Sequence, residues 1–166
     1  MATRIAINGF GRIGRPSLKI VLEKPDLDIV GINDLADPMM LAHLLRYDTV
    51  YGRYAKRVAA DEGAILVEDR RIPVFAEKDP RKLPWKDLGV DVVLEATGLF
   101  TTREKAKAHL DAGARRVIIS APSASLDVDT ILFGVNEDRL GEQDIIANGS
   151  CTTNCVTPVL AVLDAA

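Results

Sequence analysis

Cysteine is scarce in this sequence. Cys151 and Cys155 are the only two in 166 residues, and they stand together near its end. Two thiols so close cannot staple distant segments, so a hydrophobic core rather than a disulfide framework must hold the fold, and a reducing cytoplasm is the expected setting. Histidine is equally rare: His43 and His109 have no ligand-like spacing to the thiols, so no metal site is expected. No apolar run approaches the roughly 20 residues that span a bilayer, and Met1 to Arg4 lead into alternating residues rather than a secretory signal, so no membrane partner is expected. The formal net charge of -3 lacks the basic excess that nucleic acid would demand. Repeats, low-complexity tracts and linkers are absent as well.

What is present is a 48% apolar chain with room for one domain core and no second full domain. Short Ile- and Val-rich runs alternate with stretches of helical spacing, the pattern of a parallel sheet flanked by helices. Ile5 to Asn8 and Asp28 to Ile32 read as strands. Between them Ile13, Leu18, Val21 and Leu22 form one apolar helical face, ending before Pro25. Met39 to Tyr47 reads as a helix with Asp37 at its N-cap and Pro38 in first position. Residues 51 to 75 suggest small edge hairpins rather than a major element. Val90 to Leu94 and Arg116 to Ser120 are further strands, separated by a helix opened by Thr101, Thr102 and Glu104 and stopped at Gly113. Thr130 to Val135 and Asp144 to Ala147 are expected as strands, and Cys151 to Leu163 as a helix buried from several sides. The fold class is α/β, a Rossmann-type doubly wound and mostly parallel sheet. Residues 1–150 are expected to form the domain, and 151–166 the start of a helix leading into a part not present, since the chain stops without a capping residue or polar tail.

Gly9, Gly11 and Gly14 form G-x-G-x-x-G after a strand and at the start of a helix. The first glycine permits the tight turn, the second lets backbone approach a pyrophosphate, and the third allows close helix packing, while the helix N-terminus offers free N–H groups and partial positive charge. Asp34, at the end of the second strand, is placed to accept hydrogen bonds from an adenosine ribose and would repel a 2'-phosphate, which favours NAD over NADP. The bland alternative, glycines that only serve a turn and an aspartate that only caps a helix, is outweighed by strand, helix and acid all being in place. Thr97, Gly98 and Ser120 follow strands, where ligands lie across open sheets, although small residues there are as often simple turn formers.

Cys151 opens the final helix after Asn148 and Gly149. The positive end of a helix favours thiolate and hence a nucleophile, and Cys155, one turn further in, should be less activated. Spacing alone fits two small buried hydrophobes somewhat better. A redox pair is less fitting, because its usual motif places two residues between the cysteines rather than three.

The runs Ile7 to Arg15, Ile32 to Asp34, Glu95 to Phe100, Ser120 to Pro122 and Ser150 to Cys155 resemble, in order and over the whole chain, glyceraldehyde-3-phosphate dehydrogenase. The resemblance implies that Cys151 attacks the aldehyde of glyceraldehyde 3-phosphate, that hydride passes to NAD, and that inorganic phosphate releases the acyl group from the thioester, a step of glycolysis. It implies substrate or phosphate contacts for Ser150 and Thr152. It implies cofactor contacts for Phe10, Arg12, Ile13, Asn33, Asp34, Thr97, Phe100 and Ser120. Lys78 stands where many members have arginine, and Ala96 where serine is common. Members are about twice this long, are homotetramers and draw their histidine base from the absent part; neither His43 nor His109 matches that base. The chain alone is therefore expected to bind NAD without turnover and to pair, through its exposed apolar helix, into a dimer or larger. Erythrose-4-phosphate dehydrogenase, which shares the Ser150 to Cys155 hexapeptide, and a non-catalytic nucleotide-binding module are the alternatives.

Overall fold

The computed structural model describes residues 2–166. The chain runs through β1 (Thr3–Asn8), α1 (Gly14–Val21), β2 (Leu27–Asn33), α2 (Pro38–Arg46), β3 (Tyr47–Asp48), β4 (Gly52–Arg53), β5 (Val58–Asp61), β6 (Ala64–Val67) and β7 (Arg70–Phe75). It continues through β8 (Val92–Glu95), α3 (Arg103–Asp111), β9 (Arg116–Ile119), β10 (Ile145–Ala147) and α4 (Cys151–Asp164). Local chemistry sets the helix starts. The Asp37 carboxylate accepts from Met39 N–H with Pro38 in the first turn, and Thr102 Oγ1 accepts from Lys105 N–H. Each satisfies an amide that has no intrahelical partner. Ile13 sits at the α1 N-cap and is exposed, so the buried stripe of that helix begins one position later than its spacing suggests, with Gly14, Leu18 and Val21.

An eight-stranded sheet has the order β10-β9-β8-β1-β2-β7-β6-β5. Pairing is parallel from β10 to β7 and antiparallel from β7 to β5. The segment expected as edge hairpins is thus more than that: β7 pairs in parallel with β2 and carries the hairpin strands β6 and β5 into the main sheet. Thr130 to Val135, by contrast, is not a strand. Thr130 makes a single bridge to Ala147, Asn136 Oδ1 accepts from Leu132 N–H, its Nδ2 donates to Thr130 O, and Gly134 has φ of 77°. These side-chain bonds offer the backbone a turn in place of a ladder.

Strand alternation divides the core between the two faces. Ile7, Ile32, Leu18, Leu41 and Leu45 pack under α1 and α2. Ala6, Val93, Trp85, Ala106 and Val117 pack on the face covered by α3. Burying a side chain such as Leu18 or Ile32 stabilises the fold by about 1.5–3 kcal/mol. After β1 the chain moves outward to β2, and later returns to β1's other side with β8. The reversal leaves a crevice beyond the C-terminal ends of β1 and β8, the place where open α/β sheets bind ligands.

Candidate dinucleotide site

That crevice is a cavity of about 510 Å³. Gly9 and Gly11 line it from the turn after β1, Asp34 and Leu35 from the end of β2, and Glu77 and Lys78 from the loop after β7. Thr97, Leu99 and Phe100 close it from the loop after β8. Gly9 adopts φ of 92°, and a Cβ there would meet Ala96 C and Thr97 N at 2.7 Å, so glycine alone lets the turn lie against the end of β8. At Gly11 a Cβ would meet no protein atom within 4 Å. Packing therefore does not call for glycine there; close approach of a ligand does. Among the described residues the amides of Gly11, Arg12 and Ile13, at the mouth of α1, donate to no backbone acceptor, while Phe10 N–H is taken by Asp34 Oδ2 at 2.7 Å. Free amides at a helix start suit a diphosphate.

The Asp34 carboxylate is fixed from both sides, because its Oδ1 accepts from Ala36 N–H at 3.0 Å. A carboxylate has about four acceptor positions, so lone pairs remain for ribose hydroxyls. The loop carrying Lys78 is also tied down. Asp79 Oδ2 accepts from Arg81 Nη2 at 2.8 Å, and this guanidinium above all holds the Asp79 carboxyl below the ordinary carboxylate value. A depressed carboxyl supports its fold above the unfolded value and releases it as pH falls through the folded one, so this turn loosens only in acid.

A buried polar network underlies the cavity, reaching its wall at Asn8 and Asn33; sequence reasoning singled out Asn33 but missed Asn8 and Glu95. Asn8, Asn33 and Glu95 end β1, β2 and β8, and the register sets Asn8 opposite both others. Asn33 Nδ2 donates to Asn8 Oδ1 at 2.7 Å and to Glu77 O at 2.9 Å, and its Oδ1 accepts from Glu77 N–H at 2.9 Å. With its amide so committed, Asn33 shapes the cavity through Glu77. Glu95, 1% exposed, accepts from Asn8 Nδ2 at 2.6 Å and from Thr97 N–H at 2.8 Å. The available signal was a polar residue at the last position of each of three strands, directly after the runs Ile5 to Ile7, Ile29 to Ile32 and Val92 to Leu94, which hold no polar side chain.

The remaining sequence-predicted residues stand apart from the cavity. Phe10 is 1% exposed, so its ring belongs to the core and only its backbone faces the turn. Arg12 and Ile13 are exposed on the turn into α1, Gly14 is buried beneath it, and Gly98 occupies an exposed turn beside Thr97. Ser120 follows β9, its N–H donating to Glu95 O. Ser150 caps α4: its Oγ accepts from Thr153 N–H at 3.0 Å, while its own N–H donates to Thr153 Oγ1 at 3.2 Å. Cys151 and Cys155 are free and exposed, and Thr152 is exposed beside them, so the reading of two buried hydrophobes does not hold. No α4 residue is buried, against the expectation from its composition, because no layer among the described residues covers it. Among those residues no cluster of three or more His, Cys, Asp or Glu could hold a metal, and no helix is long and apolar enough to cross a membrane.

A nucleotide-sized crevice at the reversal of a doubly wound sheet, with Gly11 of the turn into α1 on its wall, defines a dinucleotide-binding domain of Rossmann type. Residues 3–103 match the family described as glyceraldehyde 3-phosphate dehydrogenase, NAD binding domain, and the chain belongs to it. NAD is therefore the cofactor of this domain. The chain is 55% identical to the glyceraldehyde-3-phosphate dehydrogenase of Clostridium acetobutylicum over 162 residues, covering 97% of itself and 48% of that relative. It is 53% identical over 163 residues to that of Thermotoga maritima, covering 96% and 49%. It is 49% identical over 166 residues to glyceraldehyde-3-phosphate dehydrogenase 1 of Bacillus subtilis, covering 99% and 49%. The chain spans about half the length of the curated relatives it matches.

Proposed function

We propose that residues 1–150 hold NAD in the crevice, its diphosphate against the amides of Gly9 to Gly14 and its adenosine ribose on Asp34, with Lys78, Thr97 and Phe100 closing the sides. Asn33, Gly98 and Ser120 support those walls. The observation that carries the reading is Gly11, which lines the cavity and whose missing Cβ leaves empty space. Residues 151–166 begin the active-site helix of a longer enzyme that oxidises glyceraldehyde 3-phosphate to 1,3-bisphosphoglycerate. Bound NAD supplies the hydride acceptor. The Cys151 thiolate forms a C–S bond to the aldehyde carbon, loss of hydride leaves a thioester, and an oxygen of inorganic phosphate displaces sulfur to regenerate the thiolate. Ser150 and Thr152 flank the thiol and contact substrate or phosphate.

The chain alone lacks a positioned base for that thiol. His109 is fully buried and His43 lies on α2. Loss of a general base costs roughly 100- to 10,000-fold in rate. In calorimetric titration the chain is expected to take up NAD and Asp34→Ala to bind about tenfold more weakly, the value of one or two lost charged hydrogen bonds. No NADH absorbance should follow when glyceraldehyde 3-phosphate and phosphate are added. Absence of uptake at millimolar NAD would overturn the site, and turnover at a full-length enzyme's rate would overturn the need for a second half.

Exposed Val159, Leu160, Val162 and Leu163 give α4 an apolar surface that favours self-association. The chain is expected to sediment as a dimer or larger, whereas Leu160→Glu should sediment as a monomer; an unchanged coefficient would place the contact elsewhere. The complete enzyme is proposed as a homotetramer, and two unpaired thiols fit a reducing cytoplasm, testable by fractionating cells and probing for the chain.

A further inference from the structure

His109 is 0% exposed, lies in α3 and does not line the cavity. Its two ring nitrogens face groups of opposite kind. Trp85 Nε1, which can only donate, lies 3.1 Å from Nδ1, so Nδ1 must present a lone pair and the ring proton must sit on Nε2. Nε2 stands 2.9 Å from Glu95 Oε2 and donates to it. The 3.4 Å approach of Asn8 Nδ2 to the same Nε2 is then an encounter of two donors that converge on one carboxylate oxygen, not a hydrogen bond.

On the other oxygen, Glu95 Oε1 takes Thr97 N–H and stands beside the Thr97 hydroxyl. That hydroxyl already accepts from Leu99 N–H at 3.0 Å. Facing a carboxylate whose other contacts are all donors, it has to donate to Glu95, and only a lone pair is left for the cavity.

We propose that His109 is a positioning residue for the nucleotide: locked by Trp85 in its Nε2–H tautomer, it holds Glu95 as an acceptor and so makes Thr97 present a lone pair to a hydroxyl or amino donor of the ligand. The proposal rests on the cavity being the NAD site. The chain holds one tryptophan and two histidines, so each group gives an assignable signal. Nitrogen-15 spectra of the imidazoles are expected to show one His109 nitrogen of pyridine type, at Nδ1, and one of pyrrole type, at Nε2. Removing both bonds in His109→Leu should weaken NAD binding about tenfold. His109→Gln, whose amide offers a donor and an acceptor at similar separation, should restore affinity to within about threefold. Trp85→Phe keeps an aromatic ring but frees the tautomer, and should weaken NAD binding even if His109→Leu does not fold. A proton on Nδ1, a charged His109, or wild-type affinity in folded His109→Leu or Trp85→Phe overturns the proposal. Failure of the wild-type chain to bind NAD would instead overturn the site assignment, with the nitrogen spectra still deciding the lock.

Discussion

Gly14→Ala is expected to lose NAD binding and stability together. A Cβ at this position would stand 2.2 Å from the carbonyl oxygen of Gly9 and 3.1 Å from Ile7 Cγ2. The nearer atom is backbone and cannot swing aside as a side chain can, so the first turn of α1 must back away from the end of β1. Overpacking of this kind costs on the order of 3 kcal/mol. The amides of Gly11 to Ile13 move with the turn, and titration should find affinity reduced at least about 100-fold, equivalent to about 2.8 kcal/mol. Gly11→Ala separates the two effects. Its methyl meets no protein atom within 4 Å and its φ is not left-handed, so thermal stability should hold or rise slightly while NAD binding falls. Equal affinity in Gly11→Ala and wild type would mean that the diphosphate lies elsewhere.

Trp85→Ala should produce the largest loss of stability in the molecule. The indole is 0% exposed and meets Phe75 edge-on with centroids 6.0 Å apart. It fills space that β2 leaves open at Gly31, where a Cβ would meet Phe75 Cε2 at 3.0 Å and Trp85 Cζ3 at 3.4 Å. Truncating a buried aromatic to alanine costs about 3–5 kcal/mol. His109 Nδ1 would also lose its donor, adding about 1–3 kcal/mol for a buried acceptor left unmade. Domains hold only about 5–15 kcal/mol in reserve, so the variant should melt roughly 10 °C or more below wild type, or fail to fold. A melting point within about 3 °C of wild type by circular dichroism would show that the pocket collapses around the missing ring.

Local readings of the chain succeeded where the determinant is itself local. Gly9, Gly11 and Gly14 report a turn because glycine removes a side chain at one place, and Asp37 and Thr102 report helix starts because a cap bonds two or three residues onward. Thr130 to Val135 misled because its apolar spacing is strand-like while its backbone is captured by Asn136, a competitor that spacing does not weigh. The segment from 51 to 75 was legible as hairpins at an edge, but the parallel pairing of β7 with β2 across 42 positions was not, because pairing between distant segments leaves no local mark. The apolar surface of α4 was legible as composition, and that composition read alone suggested burial from several sides, which the fold does not provide. Composition states what a helix could bury, and only neighbouring layers decide whether it does.

By itself the amino-acid order determined the class of sheet, the dinucleotide fingerprint and the acid that follows it, because each is written in residues close together in the chain. The tertiary structure alone decided that Asn8, Asn33, Glu95, Trp85 and His109 become one buried network beneath the cavity. Those residues come from β1, β2, β8, α3 and the segment before β8, and nothing local links them. Their coupling exists only once parallel pairing brings the ends of three strands into register and α3 is laid across them.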